Sequence, residues 1–507
     1  MPPASAVFMR PAKSHLQVNS RYMKILFFVH YRQAPLGPMY LSSALKKAGH
    51  ETYSCLLDYK TAREAVKSYK PDVVALSMII GHVKEYIEIN RKLKEEFSFY
   101  SIAGGPNATF CPEIINEEGV DAICRGEGEI AMVEFINTLE QGGDITKIEN
   151  MNVKKDGRIH ENPLRPLIKD LDDLAFPDYD LSFRVNPTYL KSRPFPVMAS
   201  RGCRSDCAHC FNHAYRKLYG EKAVKIRWRS PENLVRQLED AKEKYNIKGV
   251  IILDDNIIFS NKWLEEFAEL YPKRVGVPFW CLVTPTFATE KTIGLLKKAG
   301  CLSITIGIET GDEETRQQIL RRKMTDEFLL SVCAMIKSHG IRLFAHNILG
   351  IPDSPIENDF KTLDFNIKCG VDYSDVNVYA PLPETDLGIY TQQSDMVCYD
   401  ITNINVSPFR NISTKNVNKR ETENLCDLFM VFVKLPFLRP FMKPMIKVRW
   451  RIYRRLAGKF NEFCLTSIRP HTYRKNRAAQ FFVSLYSVTR ETCVSMSRRF
   501  KGLSRAN

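Results

Sequence analysis

The chain has 507 residues, 44% of them hydrophobic, and a net charge of +15 from 73 basic and 58 acidic side chains. At about 100–200 residues per domain this supports two to four domains with sizeable cores. It excludes a small disulfide scaffold, since the 14 cysteines are scattered apart from one cluster, and that usage points to a reducing compartment. No run of about 18 apolar residues suggests a spanning helix, and the first 22 residues lack a secretory apolar core. A cytoplasmic enzyme-sized protein is expected.

Residues 1–22, with Pro2, Pro3 and Pro11, read as a loose extension. Residues 23–147 alternate between strand and helix patterns. Lys24–His30 is a short apolar run suited to a strand buried on both faces. A helical pattern through Met39, Leu41, Leu45 and Ala48 stops at Gly49. Val73–Ser77, Tyr100–Ala103 and Asp121–Cys124 read as further strands, and Val83–Phe97 as a helix. About five βα units predict an open, Rossmann-like parallel sheet with helices on both faces. Ligands of such sheets bind beyond the carboxyl ends of the strands. Here those ends carry Ser77, then Gly104-Gly105-Pro106-Asn107, then Gly126-Glu127-Gly128-Glu129. Small residues at successive strand ends let a large ligand approach the backbone. No G-x-G-x-x-G follows the first strand, which disfavours a nicotinamide-type site.

Residues 148–193 are proline-rich and weakly periodic, and read as a linker packed on its neighbours. The acidic group Asp170, Asp172 and Asp173 reads as a solvated turn. A second alternating series fills 194–390. Its strands are placed at Pro196–Ser200, Gly249–Asp254, Pro278–Val283, Leu302–Ile308, Arg342–Leu349 and Asp375–Ala380. Helices fall between them, among them Pro231–Tyr245 and one starting at a capping box formed by Ser354, Pro355 and Glu357. Six such units predict a partial (β/α)6 TIM-like barrel, with chemistry at the strand ends. Cys203, Cys207 and Cys210 lie after the first strand at C-x3-C-x2-C spacing. Three thiolates on one loop can hold three irons of a four-iron cluster and leave the fourth open to a substrate. Zinc, with His209 or His213 as a fourth ligand, is the alternative from spacing alone. Asp254 and Asp255, Thr284, Glu309, and His346 with Gly350 fall at later strand ends.

These motifs resemble the radical SAM superfamily, in the branch with an N-terminal cobalamin-binding domain. The resemblance covers residues 23–390. It rests on Ser200-Arg-Gly-Cys203-x3-Cys207-x2-Cys210, Leu253-Asp254-Asp255-Asn256, Gly307-Ile-Glu309-Thr-Gly311, Ile348-Leu-Gly350-Ile-Pro352 and Pro381-Leu-Pro383-Glu-Thr385, together with the two glycine-rich strand ends of the first domain. It implies a 4Fe-4S cluster on Cys203, Cys207 and Cys210, with S-adenosylmethionine (SAM) on the open iron. Reductive cleavage of SAM would then yield a 5′-deoxyadenosyl radical. His209, Asp254, Asp255, Glu309 and Gly350 would line the SAM pocket. Ser77, Gly104, Gly105, Gly126, Glu127, Gly128 and Glu129 would receive cobalamin. The sequence departs from the pattern in several places. The histidine loop that ligates cobalt in many cobalamin proteins is absent after the first strand. Asn107 stands where many relatives have histidine, Thr284 where many have arginine, and Glu384 where many have glycine.

Residues 391–507 read as a helical, basic C-terminal region. Phe441, Met445, Val448, Ile452 and Leu456 recur at helical spacing, with Lys443, Lys447, Arg451 and Arg454 on another face. Such a basic amphipathic helix over 437–460 suits either peripheral membrane contact or packing on the barrel. No nucleic-acid motif accompanies the charge. The resemblance implies methylation of an unactivated carbon on a small molecule, with an electron donor such as flavodoxin or ferredoxin. Radical ring cyclisation, as in anaerobic porphyrin ring cyclases, and a non-catalytic iron–sulfur protein are the alternatives.

Overall fold

The computed structural model of the chain describes residues 22–29, 35–79, 82–220, 223–397, 414–415, 418–448, 456–461 and 463–464. The chain divides into two compact units. Among the described residues, one lies within 22–189 and 218–224, and the other within 190–217, 225–397 and 414–464.

The first unit is built on a seven-stranded sheet. Its strands are β1 (Lys24–Val29), β2 (Glu51–Leu56), β3 (Val73–Ser77), β4 (Tyr100–Gly104), β5 (Ala122–Cys124), β6 (Met151–Lys155) and β7 (Arg158–His160), in the order β2-β1-β3-β4-β5-β6-β7. β1 to β5 pair in parallel. Alternate residues of the buried strands feed opposite faces. Leu26, Phe28, Val74 and Leu76 pack with the helices Tyr59–Tyr69 and Val83–Lys94. Ile25, Phe27, Val73 and Ala75 pack with the helices Leu36–Lys47 and Glu129–Glu140. Each such apolar side chain contributes about 1.5–3 kcal/mol by its burial. A strand with two buried faces has no polar side to show, which is why it reads as a continuous apolar run.

The segment read as a linker is partly sheet. β6 and β7 pair antiparallel, and β6 adds antiparallel to β5. The two-residue turn is Asp156-Gly157, both at positive φ (51° and 73°), the backbone of a hairpin turn whose twist matches the strands. The rest of the segment is strapped to the same unit. Asp178 accepts hydrogen bonds from Ser42 Oγ and Lys46 Nζ, both at 2.6 Å, and Ser43 donates to the Phe176 carbonyl.

The second unit holds six parallel strands: β8 (Phe195–Val197), β11 (Val250–Ile252), β12 (Phe279–Leu282), β13 (Cys301–Glu309), β14 (Arg342–Leu349) and β15 (Tyr373–Val378), in the order β15-β14-β13-β12-β11-β8. A short antiparallel pair, β9 (Ser200–Gly202) and β10 (Ile226–Trp228), follows β8 and was not legible in the sequence. The connecting helices begin and end on local signals. Pro231–Tyr245 starts on Ser230, whose side chain accepts from Asn233 N, and stops at left-handed Asn246. Glu290–Ala299 has a reciprocal Thr289–Thr292 box and stops at Gly300. The box expected at Ser354 does not form. The helix there is Ile356–Cys369, Pro355 occupies the cap, and Ser354 Oγ instead accepts from Asn358 Nδ2 at 3.1 Å.

The C-terminal region is helical at Lys419–Lys434 and Met442–Lys447. The long amphipathic helix expected from Phe441 to Leu456 is not continuous. It stops at Val448, which is extended, and residues 449–455 lie outside the described residues. Met442 and Ile446 are fully buried, and Asn424 Nδ2 donates to the Val448 carbonyl at 3.2 Å. The buried side is not the stripe read from the sequence: Phe441 and Val448 of that stripe are 60% and 41% exposed, and Phe437 ahead of them 70%. Among the described residues, no helix is long and apolar enough to cross a membrane.

Candidate active site

The cysteine loop runs from β9 to the helix Phe211–Tyr219. Backbone contacts set its shape. Arg216 donates to the carbonyls of Cys203 and Ser205 and pairs with the Asp206 carboxylate. Ala208 N–H donates to the Leu320 carbonyl at 3.2 Å, and Ala208 O accepts from Leu387 N–H at 2.9 Å. None of these bonds uses a thiol. Cys207 is buried, and Cys203 and Cys210 are half-buried. Burial raises the Cys207 thiol and pushes Cys210 up to about 12, so a bound metal would have to displace their protons.

Among the described residues, no three Cys, His, Asp or Glu side chains converge as ligands of one ion. A single zinc needs such convergence. A four-iron cluster takes each thiolate on a different iron, so its sulfurs surround a volume. His213 is also committed elsewhere: Nε2 lies 3.3 Å from Asp386 and Nδ1 3.5 Å from Asp206. Three thiols on one loop are the donor set a cluster takes. His209 Nδ1 is buried without a hydrogen-bond partner among the described residues and is open to a ligand. Burial lowers its pKa.

The carboxylates at the later strand ends divide by role. Asp254 is 2% exposed, and both its oxygens are engaged, one by Ala199 N–H at 2.8 Å and one by the Ser200 hydroxyl. These bonds anchor the chain entering the cysteine loop. Burial pushes its carboxyl up to about 7. Asp255 is solvent-accessible yet closely surrounded. That loss of water raises its carboxyl, and Asn212 Nδ2 donates to it at 2.8 Å. Glu309 ends β13 at a register shift and sits at φ +64°. A non-glycine residue in that region carries backbone strain, which is commonly kept at functional positions.

Arg322 was not singled out by any motif. Its Nη1 lies 3.4 Å from Cys207 Sγ and 3.6 Å from Glu309 Oε1, and its Nη2 donates to the Gly307 carbonyl at 2.8 Å. A Cβ on Gly307 would fall 2.2 Å from Glu309 Oε1 and 3.0 Å from Arg322 Nη2, so glycine leaves the space this pair fills. Gly350 N–H donates to Asp359 Oδ1 at 3.0 Å, and Thr422 donates to the other oxygen.

Burial pushes the Asp359 carboxyl up to about 7. A raised folded-state pKa means the folded chain binds the extra proton, so this stability is present at low pH and is lost as pH rises from about 4 through 7. Asp359→Asn removes the titrating group while keeping its volume. Thermal melts of wild type should weaken between pH 5.5 and 8, and the variant should show a smaller fall. An identical pH dependence would refute this account.

One face of the sheet in the second unit packs against helices. Asn347 bonds Asn366 and Ser374 there, and Cys426 donates to the Val376 carbonyl. The other face carries half-buried polar and aromatic residues. Trp280 stacks edge-on with Phe344 at 4.8 Å, and Phe344 meets Tyr373 at 5.6 Å. One level toward the strand ends, Gly307, His346 and Asp375 lie in register across β13, β14 and β15, with Asn377 beyond on the same face. Thr284, at the end of β12, donates its N–H to Asn256 Oδ1. Glu384 sits at φ +60°, a conformation glycine adopts without strain.

In the first unit, the strand order reverses between β1 and β3, where open α/β sheets bind ligands. Residues 30–34 and 80–81, which follow those strands, lie outside the described residues. Ser77 ends β3 and Gly104 ends β4. Gly105 follows at φ +90°, and Gly126 N–H donates to Thr109 Oγ1 at 3.0 Å. Asn107 is 3% exposed with its Oδ1 unpartnered among the described residues, which suits a site shaped for a ligand. Two of the residues expected to receive cobalamin also make contacts within the unit. Glu127 accepts from Ile168 N–H at 3.0 Å, and Glu129 is buried in the first turn of its helix, where negative charge is favoured. Gly128 caps that helix.

Two family models match the chain. The radical SAM superfamily model covers residues 197–365, and the B12 binding domain model covers residues 25–136. An uncharacterized methyltransferase of Pyrococcus horikoshii is 26% identical over 376 residues, covering 72% of this chain and 79% of that protein. The anaerobic magnesium-protoporphyrin IX monomethyl ester cyclase of Rubrivivax gelatinosus is 26% identical over 376 residues, covering 70% of this chain and 65% of the cyclase, just under two thirds of its length. Among solved structures, the radical SAM methyltransferase TsrM of Kitasatospora setae, with cobalamin and a 4Fe-4S cluster bound, superposes with a TM-score of 0.62 at 16% identity, covering 75% of this chain and 79% of TsrM. The cobalamin-dependent radical enzyme OxsB, with aqua-cobalamin and SAM bound, gives 0.64 at 14% identity, covering 94% of this chain and 81% of OxsB. At such identities the likeness to TsrM and OxsB is one of fold.

Proposed function

The chain carries a radical SAM domain and, ahead of it, a B12 binding domain, and from that premise we propose that it is a cobalamin-dependent radical enzyme that methylates an unactivated carbon of a small molecule. The observation that carries this reading is the three-thiol loop at the head of a six-stranded parallel half-barrel, in a chain whose other unit matches the B12 binding family.

Cys203, Cys207 and Cys210 would hold the cluster, and Ser77, Gly104, Gly105 and Gly126 would lie against the corrinoid. Bound there, the cluster would supply the electron that splits SAM reductively, and the corrinoid would carry the transferred methyl group. The remaining work falls to the chain. His209 offers an unpartnered Nδ1 as a contact. Glu309 and the Gly350 turn would border SAM. Asp254 keeps the loop aligned through Ala199 and Ser200. Trp280 and Phe344 present a dry wall, while His346, Asp375 and Asn377 offer polar contacts to a substrate. A one-electron donor such as flavodoxin or ferredoxin would feed the site.

A second reading, radical ring cyclisation, is supported by the similarity to the magnesium-protoporphyrin cyclase. One experiment separates the two. The full chain is reconstituted anaerobically with iron, sulfide and hydroxocobalamin, then given reductant and methyl-labelled SAM. Methylation predicts bound corrinoid, 5′-deoxyadenosine, and S-adenosylhomocysteine with the label on the corrinoid. 5′-Deoxyadenosine without S-adenosylhomocysteine favours the cyclase reading. Absence of both products sinks the radical reading altogether.

A further inference from the structure

We propose that Arg322 sets the reduction potential of the cluster, by placing a fixed positive charge and a hydrogen bond on the Cys207 sulfur; the proposal rests on the cluster reading above. Arg322 is held in place from several directions. Its N–H donates to the Arg316 carbonyl at 2.9 Å, and its own carbonyl accepts from Met324 N–H at 2.8 Å. The preceding Arg321 sits at φ +56°, which turns the chain sharply just before it. Arg316 is completely buried. Its guanidinium pairs with Asp326, donates to the Thr310 and Met324 carbonyls, and lies 5.4 Å from the Phe365 ring. Arg316 thereby locks the loop that presents Arg322. The Ala208–Leu320 backbone bond ties the same loop to the residue beside Cys207. The fold thus fixes the backbone at both ends of the 3.4 Å contact.

The physical consequence follows from charge. One-electron reduction, with dithionite as donor, adds one negative charge to the cluster and its thiolates and needs no proton. A guanidinium is always charged, and Arg322's side chain is 11% exposed, so water screens it weakly. It stabilises the more negative, reduced state. Hydrogen bonds to the sulfurs and net charge are among the protein's controls over such potentials. Glu309, 3.6 Å from the same guanidinium, offsets part of this effect. The Cys210 contact is different in kind, a neutral amide of Asn212 at 3.9 Å. Among the described residues, Arg322 is the charged donor to these sulfurs. Its Nε is also buried without a partner, leaving a further donor in the same cavity.

The test is a reductive titration of the SAM-free, cluster-loaded protein followed by electron paramagnetic resonance. Arg322→Gln should keep its iron and lower the reduction equilibrium constant about tenfold, a fall of about 59 mV for a one-electron couple. Glu309→Gln removes the opposing charge and should move the midpoint upward. If Arg322→Gln fails to retain the cluster, Arg322→Lys, which keeps the charge, and Arg322→Met, which removes it, decide: the midpoint of the Met variant should lie below that of the Lys variant. An unchanged midpoint in Arg322→Gln, or equal midpoints in the Lys and Met variants, overturns the proposal whatever Glu309→Gln shows. So does a midpoint that changes only when SAM is added, because Arg322 would then act on SAM. A wild-type protein that takes up no cluster would refute the cluster reading itself, a result distinct from either.

Discussion

Replacing Cys203, Cys207 or Cys210 with alanine should cut iron from about four per chain to less than one, and 5′-deoxyadenosine formation should vanish with it. A loop that offers three thiolates has no spare ligand. The fold should survive, because the bonds that shape the loop run through Arg216, Ala208, Leu320 and Leu387, and none uses a sulfur. The stability change should stay near about 1 kcal/mol, the ordinary effect of a point substitution. Cys207, the most buried of the three, should show the largest part of it. Iron analysis and melting curves of the iron-free proteins check both halves. A variant that keeps full iron content would remove its cysteine from the ligand set.

Gly105→Val should abolish or strongly weaken corrinoid binding while leaving the iron content intact. Gly105 sits at φ +90°, and a Cβ there would lie 2.9 Å from the Met78 carbonyl oxygen and 3.3 Å from its nitrogen. That backbone cannot easily yield. Met78 N–H is bonded to the Gly104 carbonyl at 2.8 Å, and Asn107 N–H reaches Met78 O at 3.3 Å. A β-branched residue also resists positive φ. Strain and clash together should cost roughly 2–4 kcal/mol, and the strand ends of β3 and β4 would separate. Absorbance of the reconstituted protein reads the corrinoid, and iron analysis reads the other unit. Undiminished corrinoid binding would place that cofactor away from this crevice.

The strands and helices that carry both proposed sites were readable because their signals are local. Val73–Ser77, Arg342–Leu349 and Pro231–Tyr245 have the bounds expected from the sequence. Strands buried on both faces must be apolar throughout, and the helix carries its cap and stop in its own residues. The hairpin at β6 and β7 was missed although Asp156-Gly157 marks it. Its flanks, Lys154, Lys155 and Arg158, are charged because the hairpin lies at a sheet edge, and that charge hid the strand pattern. The helix through Phe441 was overextended because periodicity continues past Val448, while the backbone there turns extended to meet Asn424.

The sequence by itself determined the two alternating βα series, the glycine-bearing strand ends and the spacing of three cysteines, all of which are properties of neighbouring residues. Only the tertiary structure decided what surrounds those cysteines. Arg322 reaches Cys207 across 115 positions, Asp254 bonds Ala199 and Ser200, and His346 meets Asp375 only through sheet register. Contacts of this kind depend on how strands align and which buried charges can be paired, and no local pattern records them.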